Sequence, residues 1–147
     1  MKHYLLDTNV LVDYLLYREP FGADATELLQ AGVTGEARFY VVSLAFSHLE
    51  YIMRKQPSVV PVRQQLLQLA QLVETLAVDA AIIRRALTSD FKDFEDGIQY
   101  FTAVSQPVIA AIITRDPKGF RAGALPVLSP AQALVELDTA AGTPPAY

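Results

Sequence analysis

Three apolar runs along the chain predict buried strands, at residues 3–6, 39–42 and 107–114. The third run, PVIAAIIT, stays apolar over six consecutive residues. A run without alternation between apolar and polar residues is typical of a strand that is covered on both faces, as in a parallel sheet. Shorter apolar runs at residues 76–78 and 125–128 predict two further strands at the edges of the sheet.

The segments between these runs predict helices, because each follows a residue that can cap one. Ser43 precedes LAFSHLEYIMRKQ, Asp79 precedes AAIIRRALT and Asp93 precedes FEDGIQYFTAVSQ. Their side-chain oxygens can accept hydrogen bonds from the free N–H groups of a first helical turn. Ser129 precedes Pro130, which fits a first turn because its missing N–H is not needed there. Strands that alternate with such helices predict an α/β fold with a mainly parallel sheet.

Residues 59–76 carry an apolar stripe at alternating steps of four and three residues, as one face of a helix does. The stripe consists of Val62, Leu66, Leu69, Val73 and Leu76, and it is widened by Leu67 and Leu72. Such a face packs against the core of its own domain, against a second copy or against another partner. The pattern leaves these interpretations open.

Length and composition indicate one folded domain. The chain has 147 residues, of which 52% are hydrophobic and 19% are charged, and a chain of this size can enclose a core. We predict a domain over residues 1–138 and a flexible C-terminal tail, TAAGTPPAY, over residues 139–147. No apolar run approaches the roughly 18 residues that a membrane span needs, and the first residues lack the apolar core of a signal peptide. We therefore expect a cytoplasmic protein that does not enter a membrane.

The residue types limit which kinds of site are available. The chain has no cysteine and two histidines, His3 and His48. Disulfides and thiolate metal sites are thereby excluded, a histidine-rich zinc site is not expected, and a metal ion would be held by oxygen. The net charge of -4 at pH 7 argues against a broad basic surface for nucleic acid, but it permits a local basic rim.

Acidic residues follow two of the predicted strands. Asp7 ends the first strand and Asp116 lies just past the long one. Ligands of open α/β sheets bind beyond the carboxyl ends of the strands, so the two carboxylates converge if these strands are neighbours. Asp93 and Asp96 lie three residues apart at the start of a predicted helix and share a face of it. Glu50 lies in mid-helix beside apolar positions, where a carboxylate needs a partner.

A cluster of these carboxylates is unfavourable without a cation. Two like charges about 4 Å apart repel each other by roughly 4 kcal/mol at an effective dielectric constant near 20. The repulsion raises some of the pKa values, whereas a divalent cation allows every carboxylate to stay ionised as a ligand. Oxygen ligands favour Mg²⁺ or Mn²⁺, which retain water and accept phosphate oxygens. This combination suits the hydrolysis of a phosphodiester.

Each of these residues also has an ordinary structural interpretation, and position alone does not decide between the two. The alternatives are a helix cap for Asp7 and Asp93, a turn for Asp116, a surface ion pair with Arg54 for Glu50, and a packed or solvent-facing side chain for His48. None of the carboxylates, taken singly, identifies a function.

Four segments together resemble the PIN-domain ribonucleases: YLLDTNVLVDYL, SLAFSHLEYI, DFEDGIQYFTAV and IITRDPKGF. They occur in the family's order and cover nearly the full chain. Within the family, the chain is most similar to the bacterial single-domain proteins that act as VapC-type toxins of toxin–antitoxin pairs. The resemblance implies a three-layer sandwich, with a mainly parallel sheet in the strand order 3-2-1-4-5 flanked by helices.

The resemblance also implies a function and a set of site residues. It implies an endoribonuclease that depends on Mg²⁺ or Mn²⁺, forms a homodimer and, in the toxin branch, pairs with a small antitoxin whose tail blocks the acidic cleft. The positions that match the family's catalytic residues and metal ligands are Asp7, Glu50, Asp96 and Asp116. Asp96 is thereby selected over Asp93 as a ligand. The supporting positions are Thr8, Asn9, Asp93 and Thr114.

The chain departs from the family pattern in two respects. Its basic residues near the motifs are few, and we expect them to bind the phosphates of RNA: Arg54, Lys55, Arg115, Lys118 and Arg121. Gly97 follows Asp96 directly, where the family usually carries a better helix former, and glycine lowers helix propensity. We expect Gly97 to loosen the neighbouring ligand.

Two other classes of function compete with the nuclease. A phosphatase with an aspartyl nucleophile would also place an aspartate after a strand, as in DTNVL, but such enzymes need a second aspartate where this chain has Asn9. A degenerate PIN-like module would bind a partner without chemistry, which the apolar stripe and the low basic content favour.

Overall fold

The computed structural model describes residues 1–141 and shows a five-stranded parallel sheet flanked by helices. The strands are β1 (Lys2–Leu6), β2 (Ala37–Val42), β3 (Glu74–Leu76), β4 (Ala111–Ile113) and β5 (Val127–Leu128). The helices are α1 (Thr8–Leu16), α2 (Gly22–Val33), α3 (Ser43–Met53), α4 (Val62–Leu72), α5 (Ala80–Leu87), α6 (Phe94–Val104) and α7 (Pro130–Ala141). A 3-10 turn, Pro117–Phe120, follows β4.

The sheet has the strand order β3-β2-β1-β4-β5, and every pair of neighbouring strands is parallel. The predicted α/β fold and the predicted strand order are therefore confirmed. Leu5 in the central strand β1 pairs with Tyr40 on one side and with Ile112 on the other. Leu5 and Ile112 are fully buried, as expected for strands that helices cover on both faces.

The strands at residues 3–6, 39–42 and 125–128 differ from their predicted bounds by one or two residues at one end, and two other strand predictions differ more. The long apolar run at residues 107–114 contributes only Ala111–Ile113 to the sheet, because the residues before it form a turn in which the Ile109 N–H donates to the Gln106 carbonyl (3.0 Å). The strand predicted at residues 76–78 lies two residues earlier, at Glu74–Leu76. Helix α2 was not predicted, because Phe21, the residue in its N-cap position, has no side-chain oxygen that could accept a capping hydrogen bond.

Three of the four predicted helix caps are confirmed. Asp79, Asp93 and Ser129 each accept a hydrogen bond from the backbone N–H three residues further on, at 2.9, 3.0 and 3.1 Å. Ser43 is instead the first residue of α3. Its hydroxyl accepts a hydrogen bond from the Val78 N–H (3.2 Å) and so joins α3 to the segment after β3.

The apolar stripe of residues 59–76 packs mainly into the domain's own core. Leu66, Leu69 and Val73 are buried, and α4 contacts α2, α3 and β3. Leu67, which widens the stripe, is 62% exposed. The packing interpretation therefore accounts for the buried part of this face.

The C-terminal helix extends into the segment that was predicted as a tail. Helix α7 runs to Ala141, so residues 139–141 are helical, and residues 142–147 lie outside the described residues. Along residues 1–141, no helix has both the length and the apolar character that a membrane crossing requires.

An ion pair fastens helix α1 to the segment after β4. Asp13 is 1% exposed, and its carboxylate accepts hydrogen bonds from Nε of Arg115 and, at 3.2 Å, from Nη2. The guanidinium also lies over the ring of Phe21, 4.0 Å from its centre. Because both charges are largely removed from water, each depends on the other for its solvation.

Asp13→Ala should destabilise the protein by about 3 kcal/mol, because it leaves the Arg115 charge without its partner. Urea unfolding followed by circular dichroism measures the change. Asp138→Ala is the control, since Asp138 is exposed on α7 and its loss should change stability by less than about 0.5 kcal/mol. Equal effects of the two substitutions would show that the ion pair contributes nothing.

Candidate active site

The acidic cleft lies where the sheet's strand order reverses, beyond the carboxyl ends of β1 and β4. Asp7 follows β1 directly, and its backbone N–H donates to the Ile113 carbonyl of β4 (2.9 Å). Open α/β sheets bind ligands at such switch points. The structure thus brings the first and the last of the predicted carboxylates, Asp7 and Asp116, to one edge of the sheet, because they follow adjacent strands.

Two side chains fix the carboxylate of Asp7, which is 6% exposed. Gln99 Nε2 donates to Oδ1 (2.8 Å) and Thr114 Oγ1 donates to Oδ2 (2.7 Å). Thr114 in turn accepts hydrogen bonds from Asn9 Nδ2 (3.3 Å) and from the Asp116 N–H (3.0 Å). Asp7 occupies the N-cap position of α1 without a side-chain capping bond, so its side chain serves the cleft and not the helix.

Asp96 and Asp116 converge above Gly119 in the 3-10 turn. A Cβ atom placed on Gly119 would overlap Oδ2 of Asp96 and would lie 3.8 Å from Oδ2 of Asp116. Asp96 is in the first turn of α6, where its N–H donates to Oδ1 of Asp93 (3.0 Å). Asp93 therefore caps the helix that carries Asp96, and Gly119 leaves the space into which two carboxylates reach.

The cleft around these residues has a volume of about 310 Å³. Six of the residues that line it were predicted, namely Asp7, Thr8, Asn9, Asp93, Asp96 and Asp116. Six others were not predicted as site residues: Val12, Arg18, His48, Ile52, Glu95 and Gln99. Gln99 lies one helical turn after Asp96, a spacing that places both on one face of α6 and that offered a signal in the sequence.

Glu50 does not line this cleft. Its Oε2 lies 3.8 Å from Nε of Arg54, which is the ion pair that was considered as its ordinary interpretation. Helix α3 presents His48 and Ile52 to the cleft instead. Successive residues of a helix are about 100° apart, so a side chain two positions after His48 points to nearly the opposite side. The structure therefore does not bring Glu50 together with the other predicted carboxylates.

A polar chain closes the cleft on the side of α3. His48 Nδ1 lies 3.0 Å from Oε1 of Glu95, and an ionised carboxylate can only accept, so the ring nitrogen donates. Thr8 Oγ1 donates to the same oxygen (3.4 Å). Three side chains from α1, α3 and α6 are thereby joined, and Glu95 adds a further negative charge to the cleft.

The pKa values report the crowding of negative charge. The pKa of Asp96 is raised to about 7, chiefly because burial disfavours the charged form and further because of repulsion by Asp7, Asp93, Asp116 and Glu95. Burial also raises the pKa of Asp7, against the opposing effect of the hydrogen bonds from Thr114 and Gln99. Carboxylates with raised pKa values in one cleft are those that a cation would stabilise.

The donor set fits a hydrated Mg²⁺ or Mn²⁺ better than a closed metal cage. Within residues 1–141, no three histidine, aspartate or glutamate side chains are arranged closely enough to enclose a metal ion. Mg²⁺ usually binds through one or two carboxylates and keeps several waters, and Asp96 and Asp116 share such a space above Gly119. Gln99 lines the same cleft, and its Oε1 is buried without a hydrogen-bond partner.

The predicted basic rim is only partly beside the cleft. Lys118 and Arg121 line a second cleft of about 640 Å³ that shares Asp93, Asp96 and Asp116 with the first. Arg115 lines a different cavity and is bound to Asp13, so its guanidinium is not free for RNA.

The other two basic residues lie at the C-terminal end of α3 and line neither of these two clefts. The charged groups of Arg54 and Lys55 lie 4.9 and 4.0 Å from the ring centre of Tyr51. Tyr51 lines the apolar groove that His48 and Glu95 share with the acidic cleft. The charged groups of Arg54 and Lys55 therefore lie beside the apolar groove and not among the carboxylates of the acidic cleft.

Gly97 has a packing role that the sequence did not reveal. A Cβ atom at this position would lie 3.3 Å from Cβ of Phe91 and 3.4 Å from Cβ of Ala86. Glycine therefore permits the close approach of α5 and α6. The expectation that it loosens Asp96 is not needed to explain its presence.

An acidic cleft at the switch point of a parallel α/β sheet is a place where carboxylates can hold a divalent cation that binds phosphate oxygens. Comparison with known proteins shows which family of such proteins the chain belongs to. Residues 3–118 match the family model of the PIN domain. The chain belongs to the PIN-domain family, whose members are nucleases. Comparison with curated proteins gives no significant match.

Three solved structures have folds similar to that of this chain. They are VapBC2 from Rickettsia felis bound to a DNA fragment from its promoter (14% identity, TM-score 0.62, covering 86% of this chain and 98% of that one), a toxin–antitoxin complex from Klebsiella pneumoniae (21%, 0.64, 86% and 97%) and FitAB bound to an IR36 DNA fragment (16%, 0.66, 86% and 94%). At these identities the similarity establishes the fold.

Without a cation, stability should fall as the pH rises from about 4 to about 7. In that range the folded protein keeps a proton on Asp96, whose pKa is about 7, while the unfolded chain has released it, so each increase in pH favours unfolding. Asp96→Asn cannot titrate and should flatten this fall. Urea unfolding of both proteins in EDTA measures the difference, and parallel pH profiles would contradict the raised pKa.

Gly119→Ala should weaken the binding of Mn²⁺ by about tenfold or more, as displaced supports of metal ligands do, because the methyl group displaces the carboxylate of Asp96. Isothermal titration calorimetry measures the affinity. Gly35→Ala is the control: a methyl group there meets nothing within 4 Å, but the backbone φ of +81° disfavours alanine. It should lower stability and leave Mn²⁺ affinity unchanged. If Gly119→Ala keeps the wild-type affinity for Mn²⁺, the space above Gly119 is not part of the cation site.

Proposed function

We propose that this protein is a divalent-metal-dependent endoribonuclease that hydrolyses RNA phosphodiesters, and that it acts in the cytoplasm as the toxin of a toxin–antitoxin pair. The observation that carries the proposal is the convergence of Asp7, Asp96 and Asp116 on one cleft, with the pKa of Asp96 raised to about 7 by burial and by its acidic neighbours. Membership of a family of nucleases and the acidic cleft at the switch point both support the hydrolysis of phosphodiesters.

In this proposal Asp7, Asp96 and Asp116 hold a hydrated Mg²⁺ or Mn²⁺, in part through the waters that the ion keeps, and Glu50 is not a ligand. A bound cation of this kind activates water and neutralises charge on the attacked phosphate. Thr114 and Gln99 keep the carboxylate of Asp7 in one orientation. Asn9 holds Thr114, and the remaining supporting residues act in the same way: Asp93 orients Asp96 and Thr8 orients Glu95.

The RNA chain is proposed to enter along the second cleft. Lys118 and Arg121 lie there beside two of the carboxylates, so they can bind the phosphates that flank the scissile one. Arg54 and Lys55 can bind the chain further along, next to Tyr51. Arg115 is left out of this set because Asp13 binds it. With so few cations, we expect weak binding that falls steeply with added salt.

The homodimer is proposed to form at the apolar groove between α3 and α6, which has a volume of about 490 Å³. Its exposed side chains include Leu44, Tyr51 and Phe94, and exposed apolar groups that lie together mark interaction sites. A second copy of the chain covering this face gives the homodimer. The tail of a small antitoxin would instead block the acidic cleft itself, by placing a basic side chain among the carboxylates.

A degenerate module that binds a partner without chemistry remains the alternative. The lack of three closely placed ligands within the described residues favours it. Calorimetry separates the two functions, because the nuclease binds Mn²⁺ at millimolar concentration or below and the module does not. The aspartyl phosphatase has no support, since Asn9 is hydrogen-bonded to Thr114 and cannot act as an acid.

Asp7→Asn should reduce cleavage of RNA by about 100-fold or more, a loss typical of removing one electrostatic contact of a transition state. The side chain keeps its size but loses the charge. The assay follows single-stranded and structured RNA with Mn²⁺ and then with EDTA, which should abolish cleavage. Glu50→Gln is the matched control and should keep full activity, because Glu50 lies outside the cleft.

Three results would contradict the proposal. Cleavage that resists EDTA would exclude the metal, and full activity in Asp7→Asn would exclude this cleft. A loss of activity in Glu50→Gln that matches the loss in Asp7→Asn would return Glu50 to the site and would show that the cleft has a different set of ligands.

A further inference from the structure

Gln99 presents a buried amide at the acidic cleft, with one end bound and the other end free. The residue is 1% exposed and lines the cleft. Its Nε2 donates to Oδ1 of Asp7 (2.8 Å). Because the amide nitrogen faces Asp7, the amide oxygen is directed elsewhere.

The oxygen of this amide lacks the partner that a buried acceptor normally has. Among the buried side-chain nitrogen and oxygen atoms of residues 1–141, Gln99 Oε1 is the one without a hydrogen bond. Buried polar groups are nearly always paired, and an exception calls for an explanation such as a missing water or ion. Thr102, one turn further along α6 and equally buried, satisfies its hydroxyl on the Ile98 carbonyl (2.7 Å).

We propose that Gln99 is a positioning residue for the cation of this cleft, and this inference rests on the proposed metal dependence. Its Nε2 holds one oxygen of Asp7, so that the remaining lone pairs of the carboxylate stay directed into the cleft. Its Oε1, which has no partner in the cation-free chain, would accept a hydrogen bond from a water that accompanies the cation. The amide would thereby connect Asp7 to the cation that Asp7 holds. The hydrogen bond of Oε1 would form only when the cation binds.

A residue that only fills space would behave differently. Methionine has nearly the same length and volume as glutamine but no donor or strong acceptor. If Gln99 only packs, Gln99→Met changes stability equally with and without the cation. If Gln99 positions the cation, the substitution weakens binding, because both hydrogen bonds of the amide are lost.

The test is the affinity of the full chain for Mn²⁺, measured by isothermal titration calorimetry at pH 7 together with the rise in melting temperature that Mn²⁺ causes. Gln99→Met should weaken the affinity at least about tenfold, as the loss of a hydrogen bond to a metal ligand typically does, and should reduce the rise in melting temperature. Thr102→Val is the matched control: it removes a buried hydroxyl from the same helix, and the affinity should stay that of the wild type.

A double substitution tests whether Gln99 acts through Asp7. Gln99→Met should weaken Mn²⁺ binding by a smaller factor in an Asp7→Asn background than in the wild type, because residues that act on one site are not additive. Equal factors in both backgrounds would overturn the bridging role. If Gln99→Met does not fold by circular dichroism, Gln99→Asn, whose amide is too short to reach Asp7, carries the test with the same expected loss.

Wild-type affinity in the folded variants would overturn the role of Gln99 and leave the proposed nuclease intact, provided that the wild type cleaves RNA in an EDTA-sensitive manner. A wild type that binds no Mn²⁺ would overturn both proposals. Weakened binding in Thr102→Val to the same degree as in Gln99→Met would assign the effect to helix α6 as a whole, and would also overturn the role of the amide.

Discussion

The crowding of carboxylates around the buried Asp7 and the half-buried Asp96, at the edge of the sheet, is the constraint on which the rest of the cleft depends. Burial raises the pKa of Asp96 to about 7, together with the repulsion from four acidic neighbours, Asp7, Asp93, Asp116 and Glu95. Such an arrangement costs stability in the folded chain. A divalent cation bound among these carboxylates, as proposed, would convert the repulsion into attraction.

The architecture explains why these charges meet. Strands β1 and β4 are neighbours in the sheet but far apart in sequence, so the residues that follow them, Asp7 and Thr114, become adjacent. Thr114 donates to Asp7 and accepts from Asn9 and from the Asp116 backbone. One hydroxyl therefore connects both strand ends. Helix α6 completes the cleft from the side, with its capped first turn holding Asp96 and its second turn holding Gln99.

The sequence predicted the features that depend on local chemistry or on strand order. Helix caps such as Asp79 and Asp93 are local, and the ends of parallel strands meet at one edge whatever lies between them. It did not predict which side of α3 faces the cleft. That side is set by Leu49 and Met53, which are buried in the core and thereby turn His48 toward the carboxylates and Glu50 toward Arg54. Only the packing of the whole domain decides this rotation.

The most direct test of the proposed cation site is the anomalous scattering of Mn²⁺ in crystals grown with the ion. The account predicts one or more peaks within bonding distance of carboxylate oxygens of Asp7, Asp96 or Asp116, with the amide of Gln99 within reach of the ion's water shell. A peak at Glu50 and Arg54, or no peak at millimolar Mn²⁺ in crystals that leave the cleft open, would contradict it.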